Sequence, residues 1–387
     1  SRGLGDVYKR QVIDHYRETY ECRSCRKNGT PYMEKAPVPY PPVLHSLASA
    51  STITWLIHQK FELSIPLYRQ EKEWEALGLR LSRATMSNWL LVVYRDWLVH
   101  IVHRLKLELL KQRYLHIDET HVQVLKEPGR KNTSDSYMWV YCSIRDAVNP
   151  IRYFEYQPGR SGKYPEAFLR EYEGYIHTDA YSGYNAVSGV KRCLCYTHLR
   201  RAFVDALPKD IHNSEASKAA EAILHLNQLF NIESELEALP PDQKKKERLI
   251  REKPLLEAFW SWAEKSAIGE LPKSKLSKAF HYALNNREGF WNYLEDGNCS
   301  ISNSLAENCI RPFVIGRKNW LFSGSPKGAE ASAGIYTLVE TAKANGLAPM
   351  KYIKYILSDM PGSAFLEHPE YLDDYLPWNP LVKEFCR

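Results

Sequence analysis

Residues 114–125 read Tyr-Leu-His-Ile-Asp-Glu-Thr-His-Val-Gln-Val-Leu, a run in which polar and apolar side chains broadly alternate. This period of two, together with the β-branched and aromatic residues, predicts a β-strand. Similar runs at 137–145 and 151–156 are separated from it and from each other by turn-forming residues, which predicts three consecutive antiparallel strands. Asp118 lies at the centre of the first strand, where a carboxylate is unusual, and shares a face with His116 and Thr120.

The following segments predict a helix over 165–172 and a fourth strand over 175–179. The order β-β-β-α-β is that of the ribonuclease-H-like fold. Residues 199–275 lose the strand pattern and become helical and charged, which predicts a helical insertion. We therefore expect an α/β protein: a ribonuclease-H-like mixed sheet with flanking helices and a helical insertion, preceded by a helical, helix-turn-helix-like region.

Composition limits the class of protein. A chain of 387 residues with 44% hydrophobic and 25% charged residues predicts several globular domains and excludes a fibrous or wholly disordered protein. No apolar run reaches the length of a membrane span, so no membrane partner is expected. The 8 cysteines are too sparse for a secreted disulfide scaffold and favour the cytoplasm. A net charge of +6 is compatible with a nucleic-acid partner without requiring one.

The N-terminal 35 residues combine an unusual leader with half of a metal-binding motif. Residues 1–11 resemble a translated sequencing adapter, so we expect native sequence to begin near Val12 and to lack an upstream segment. Cys22 and Cys25 form a C-x2-C pair of the kind that supplies two ligands to zinc. We interpret 12–35 as the remnant of a zinc ribbon; the alternative is two free thiols in a loop.

A proline-rich linker at 36–43 opens the next region, 36–112, in which helices are predicted over 44–58, 66–77 and 82–110. Ser82 is a helix-capping residue, and the segment around it resembles a helix-turn-helix. The polar residues that would then face DNA are Arg83, Thr85, Ser87 and Asn88. The alternative is a helical bundle whose polar residues are simply solvated.

Three carboxylates stand out as candidates for chemistry: Asp118, Asp179 at the end of the fourth strand, and Glu307 in a helix-favouring segment. Alone, each is more often an ordinary surface carboxylate. Together, hard oxygen donors from two strands and a helix suit two Mg²⁺ ions that act on a phosphodiester.

The strings HIDET, HTDAYSGY, CLCYTHLRRAF and NSLAENCIRPFVIGRKNWLFSGSPKGA closely resemble the DDE transposases of the insertion-sequence-66 family. The resemblance implies that Asp118, Asp179 and Glu307 form the catalytic triad and hold two Mg²⁺ or Mn²⁺ ions, with Zn²⁺ bound as well if the ribbon is complete. It also implies a catalytic domain over 113–345 and a short C-terminal region over 346–387.

The same resemblance implies the reaction and its partners. Water attacks DNA at the element ends, and the freed 3′-hydroxyl then attacks target DNA. The implied partners are double-stranded DNA, further copies of the chain and accessory proteins, in a bacterial cytoplasm at the nucleoid. Two alternatives remain open: a ribonuclease-H-like nuclease that only cuts, and a DNA-binding remnant or regulator without catalysis.

Further residues are candidates for supporting roles. Basic and amide side chains that follow Glu307 would contact phosphate, unless they are ordinary surface residues: Arg311, Arg317, Lys318 and Asn319. Cys195 and His198 form a C-x2-H motif, but two ligands do not complete a zinc site, which favours a structural role.

Overall fold

A computed structural model describes residues 13–208 and 217–387, so the expectation for residues 1–11 lies outside the described chain. The described part begins with a small antiparallel pair, β1 (Thr19–Glu21) and β2 (Met33–Lys35). A short helix, α1 (Arg23–Lys27), joins them; Cys22 is its N-cap residue and Cys25 lies within it.

The central feature is a six-stranded mixed sheet in the order β5-β4-β3-β6-β7, with β8 paired to the far end of β3. Its strands are β3 (Tyr114–Val124), β4 (Asp135–Ser143), β5 (Arg152–Gln157), β6 (Gly174–Thr178), β7 (Val190–Leu194) and β8 (Phe322–Ser323). The first three are antiparallel, whereas β6 lies parallel to β3 and β7 parallel to β6. The predicted ribonuclease-H-like α/β class is confirmed, and β3 to β6 lie within two residues of their predicted bounds.

Helices precede the sheet in the chain and cover part of it. They are α2 (Ala50–Ile57), α3 (Leu67–Ala76), α4 (Arg83–Val93) and α5 (Val99–Leu110), with π-helical turns at His58–Glu62 and Tyr94–Leu98. Ser82 caps α4 as expected, because its hydroxyl accepts a hydrogen bond from the Thr85 amide at 3.1 Å. The turn before it contains Gly78 at φ +81°, a conformation that favours glycine.

These helices and the sheet share one hydrophobic core. Buried side chains of α5, such as Leu105 and Leu109, belong to the same cluster as Ile117 and Val140 of the sheet. Residues of the C-terminal helices join that cluster too, so one core extends through the chain on both sides of residue 112.

A second core lies in the helical insertion, which starts at the end of β7. Its helices are α7 (Tyr196–Asp205), α8 (Lys218–Glu235), α9 (Pro241–Ala267), α10 (Lys275–Asn285) and α11 (Arg287–Trp291); the short α6 (Lys163–Phe168) instead connects β5 to β6. Buried aromatic residues fill the insertion's core, among them Phe259, Trp260 and Phe280. The fully buried Arg248 forms a two-pronged ion pair with Glu233, at 2.6 and 2.8 Å.

The chain then returns to the sheet through α12 (Ser304–Trp320), α13 (Pro326–Ala344), α14 (Pro349–Asp359) and α15 (Pro380–Cys386). Helix α13 lies along the outer edge of β5. There Thr341 and Thr337 accept hydrogen bonds from the backbone amides of Arg152 and Phe154, at 3.0 and 2.9 Å. In the described ranges, no helix is both long and apolar enough to span a bilayer.

Candidate active site

The strand register places two of the predicted carboxylates side by side. His116 of β3 pairs with His177 of the parallel strand β6. Asp118 and Asp179 each follow two residues later, so both carboxylates lie at the same level of the sheet and at the end of β6. The mixed topology therefore brings together two acids that are far apart in sequence.

Helix α12 brings the third carboxylate. Its N-cap residue, Asn303, is buried and donates a hydrogen bond from Nδ2 to the carbonyl of Ile117 at 2.7 Å. The Oδ1 atom of Asn303 lies 3.0 Å from Nδ1 of His116. Both partners immediately precede Asp118 in β3, so this amide fixes the start of α12 against the strand that carries the first acid. Glu307 lies in the first turn of α12.

The pKa of Asp118 reflects the acidic residues around it. Burial raises the pKa of its carboxyl to about 7, and repulsion from Glu119, Asp179 and Glu307 adds to the effect. Carboxylates that repel one another favour the binding of a cation, which relieves the repulsion.

An arginine holds the turn that presents Asp179. Arg192 of β7 donates to the backbone carbonyls of Asp179 and Tyr181, at 2.6 and 2.8 Å, and to the hydroxyl of Thr178 at 2.7 Å. The Tyr181 amide in turn donates to Oδ1 of Asp179 at 2.9 Å. Sequence reasoning missed Arg192, because β7 itself was not predicted.

Glu119 is a second residue that the sequence analysis did not single out. Its side chain is nearly buried and forms an ion pair with Arg160 at 2.6 Å. The hydroxyl of Tyr184 also donates to it. Arg160 lies 3.9 Å from Oδ2 of Asp179, so one guanidinium links Glu119 to the site. The one sequence feature that could have pointed to Glu119 is its position directly after Asp118.

Two stacked histidines support the carboxylates from within the sheet. The rings of His116 and His177 lie 4.2 Å apart at an angle of 10°. Nε2 of His177 accepts a hydrogen bond from the Ser300 amide at 2.9 Å, and its Nδ1 lies 3.2 Å from the Leu115 carbonyl. Burial lowers the pKa of His116 well below its usual value, and the proximity of His177 lowers it further.

The C-x2-H motif lies directly beside Glu307. Cys195 is the N-cap residue of α7, and His198 follows in its first turn. One ligand atom from each of Cys195, His198 and Glu307 lies within 4.8 Å of the others. The structure thus adds a third potential ligand to the two that the sequence showed.

The four predicted phosphate-binding residues on α12 differ in their surroundings. Arg317 is partly buried and donates from Nη1 to the Thr120 hydroxyl at 3.1 Å, on the strand face that carries Asp118. Arg311 and Lys318 are exposed. The Asn319 side chain lies 3.3 Å from the carbonyl of Ile315, within its own helix. Arg317 is therefore the one that the fold turns toward the sheet.

The remaining predicted residues lie on other elements. Arg83 and Asn88 on α4 are exposed, and Ser87 is half-buried. This helix is a different element from those that carry the three carboxylates. Cys22 and Cys25 contact each other, and a hydrogen bond between the thiols raises the pKa of Cys25. Among the described residues no further histidine, cysteine or acidic side chain joins them in a metal-binding cluster, so the half zinc ribbon stays a prediction.

Comparison with known proteins places the chain in a family. The profile of the family described as "Transposase IS66 family" matches residues 45–331, a range that contains all three carboxylates. "Uncharacterized protein y4hP" of Sinorhizobium fredii is 25% identical, in an alignment that covers 95% of this chain and 68% of that protein. "Uncharacterized protein y4jD" of the same organism is 26% identical, with 94% of this chain and 71% of that protein covered.

Proposed function

Because the chain belongs to the IS66 family of transposases, we propose that it cuts DNA at the ends of a mobile element and joins the freed ends to target DNA. The convergence of Asp118, Asp179 and Glu307 from two parallel strands and one helix supports this proposal. Helix α4 and the basic residues of α12 would hold double-stranded DNA, and further copies of the chain would pair two element ends.

The three carboxylates suit two Mg²⁺ or Mn²⁺ ions, since they are hard oxygen donors whose mutual repulsion a divalent cation relieves. When bound, such ions activate the attacking oxygen and neutralise the leaving oxygen. Asp118 and Asp179 would hold the ions at the sheet, and Glu307 would complete the ligand set from α12. Arg192 and Asn303 would act as positioning residues, because they hold the backbone on either side of the acids.

In the first step, a water oxygen attacks the scissile phosphorus at the element end, the bond from phosphorus to the bridging 3′ oxygen breaks, and that oxygen leaves as a 3′-hydroxyl. In the second step, this hydroxyl attacks a phosphorus of target DNA and displaces another 3′-hydroxyl. The first step converts one phosphodiester into a 5′-phosphate and a 3′-hydroxyl, the second breaks one phosphodiester as it forms another, and neither needs a covalent link to protein. Arg317 would contact a phosphate beside the reacting group, since it lies on the face of Asp118.

Helix α4 would contribute to DNA binding through its exposed side chains. Arg83 and Asn88 point to solvent, whereas Met86 and Leu90 of the same helix are buried against the core. A helix with one face fixed and a polar face free can enter a major groove. Ser87, half-buried between the two faces, would contact the backbone of the DNA.

The test is a cleavage and strand-joining assay with labelled DNA that carries candidate element ends, in the presence of Mg²⁺ or Mn²⁺. Asp179→Asn keeps the size of the side chain but removes its charge, and we expect product formation to fall by roughly a hundredfold or more. Asp146→Asn, in an exposed turn between β4 and β5, is the matched control and should retain activity.

Each alternative gives a distinct result. Cleavage without joined product would establish a nuclease that only cuts. DNA binding without any metal-dependent product, from the folded wild-type chain, would indicate a regulator or remnant. Equal activity of the Asp179→Asn variant and the wild type would refute the assigned site.

A further inference from the structure

We infer that Cys195, His198 and Glu307 form a binding site for a zinc-class transition-metal ion. This site shares Glu307 with the carboxylate site and differs from it in the other two ligands. The three residues come from the start of α7 and the first turn of α12, two helix N-termini that meet beside Asp179. The inference rests on the proposed function only in that Glu307 belongs to both sites.

Two polar atoms in this cluster lack a partner. Nδ1 of His198 and Oε1 of Glu307 are both buried and neither makes a hydrogen bond within the described chain. They face each other at 3.6 Å, which is too long for a hydrogen bond. Buried polar atoms without partners are costly, and here both are atoms that coordinate metals. An ion held between them would satisfy both.

The third ligand is fixed in place by both helices. The Asn303 amide at the start of α12 donates a hydrogen bond to Sγ of Cys195 at 3.1 Å. Cys195 is also the N-cap residue of α7. Metal binding would replace the thiol proton, which passes to water.

The ligand types indicate the class of metal. Sulfur, imidazole nitrogen and a carboxylate oxygen are a set that Zn²⁺ accepts, whereas Mg²⁺ prefers oxygen alone. Three protein ligands leave one tetrahedral position for water or a phosphate oxygen. The other oxygen of Glu307, Oε2, lies 4.0 Å from Arg201 and remains outside this set.

The test measures zinc binding without DNA, so its result is independent of transposase activity. The full chain carries Cys22→Ser and Cys25→Ser in every sample, because the C-x2-C pair is a separate source of zinc ligands. After removal of metal with a chelator under reducing conditions, Zn²⁺ is titrated against a chromophoric competitor. Co²⁺ is then bound in its place, and its thiolate charge-transfer absorption is recorded.

We expect one zinc per chain and a cobalt–thiolate band. Cys195→Ser and His198→Gln should each weaken zinc binding by roughly a hundredfold or more. Cys193→Ser is the matched control: it removes a buried thiol on the preceding strand that belongs to the neighbouring cluster with His177 and Cys299, and it should keep the zinc.

A second measurement needs no variant of the cluster. The zinc K-edge X-ray absorption spectrum of the zinc-loaded protein should show one sulfur ligand together with nitrogen and oxygen ligands, as Cys195, His198 and Glu307 would supply. The inference is overturned if the folded protein binds no zinc, if Cys195→Ser and His198→Gln keep it, or if only Cys193→Ser loses it.

Discussion

Arg317 shows at the scale of a single residue how the fold prepares for an anion. Burial lowers the pKa of its guanidinium, and the described part of the chain gives it a hydroxyl partner, Thr120, but no ion pair with a carboxylate. A partly desolvated guanidinium of this kind gains most from an ionised partner that arrives with the ligand. A DNA phosphate beside Asp118 would be that partner.

Arg317→Ala should therefore weaken DNA binding about tenfold and reduce the salt dependence of the affinity by about one phosphate contact. The measurement is fluorescence anisotropy with labelled DNA over a range of salt concentrations. Arg145→Ala, in the exposed turn between β4 and β5, serves as the control and should leave both the affinity and its salt dependence unchanged. An unchanged salt slope for Arg317→Ala would contradict the role.

The sequence predicted the residues that carry charge at the site better than those that position them. Asp118 and Asp179 were visible because each lies at a strand position where acids are rare. Glu119 was not, because its role depends on Arg160, which the loop after β5 brings to it. Cys195 and His198 were recognised as a pair, but Glu307 joins them only through the fold.

At the scale of elements, the attachment of α12 depends on Asn303. An N-cap residue normally bonds to its own helix, but the Asn303 side chain makes no such bond and instead contacts β3. Asn303→Ala should lower the free energy of unfolding by about 1–3 kcal/mol, because a buried carbonyl loses its partner. The cleavage rate should fall by more than the loss of folded protein explains, because Glu307 shifts with the start of α12.

Urea unfolding and the cleavage assay measure the two effects on the same samples. Ser304→Ala, at the exposed next position of α12, is the matched control and should change neither by much. A stable Asn303→Ala variant with full activity would show that α12 is held in place by other contacts.

The sheet itself was predictable to different degrees. Strands β3 to β6 show alternation and β-forming residues, whereas β7 has the sequence Val-Lys-Arg-Cys-Leu, in which two central positions are basic. Those charges are stabilised by contacts distant in sequence: Lys191 with Glu295, and Arg192 with the Asp179 turn. Because these contacts come from distant parts of the chain, the sequence of β7 alone does not show the alternation that predicts a strand.

The insertion helices give a prediction about pH. Burial and the neighbouring carboxylate of Glu233 raise the pKa of Glu252 from an ordinary value of 4.5 to about 8. The folded state then binds more protons than the unfolded state between these values, so stability falls as pH rises from about 4.5 to about 8. The full shift corresponds to at most about 5 kcal/mol.

Glu252→Gln should remove this pH dependence of stability, because the amide is neutral at every pH. The amide oxygen can still accept the hydrogen bond from Tyr293, which is 2.5 Å long in the wild type. Unfolding measured at pH 5 and pH 9 should show similar stability for variant and wild type at the lower pH, and a more stable variant at the higher. Glu257→Gln, exposed on the same helix, is the control. Parallel pH curves for Glu252→Gln and wild type would refute the assignment.

At the scale of the whole molecule, the helices before the sheet and the sheet share a core, so they should unfold together. Leu105→Ala removes a fully buried side chain from α5 and should lower stability by about 2–5 kcal/mol. Amide hydrogen exchange should accelerate in β3 to β5 as well as in the helices, because both lose the same packing.

Leu107→Ala is the control for this experiment: it lies on the same helix with 55% of its surface exposed, and it should change stability by no more than about 0.5 kcal/mol. Faster exchange confined to α2–α5 in Leu105→Ala would indicate that these helices form an independent folding unit.

The threonines of α13 also limit how copies of this protein can associate. The amides and carbonyls of Arg152 and Phe154 are engaged by Thr341 and Thr337, so the outward edge of β5 has no free backbone groups at these positions. An open edge strand invites a second chain to extend the sheet. With that route closed at β5, a second copy cannot extend the sheet past this strand through main-chain hydrogen bonds at Arg152 and Phe154, so any contact between copies at this edge has to use side chains.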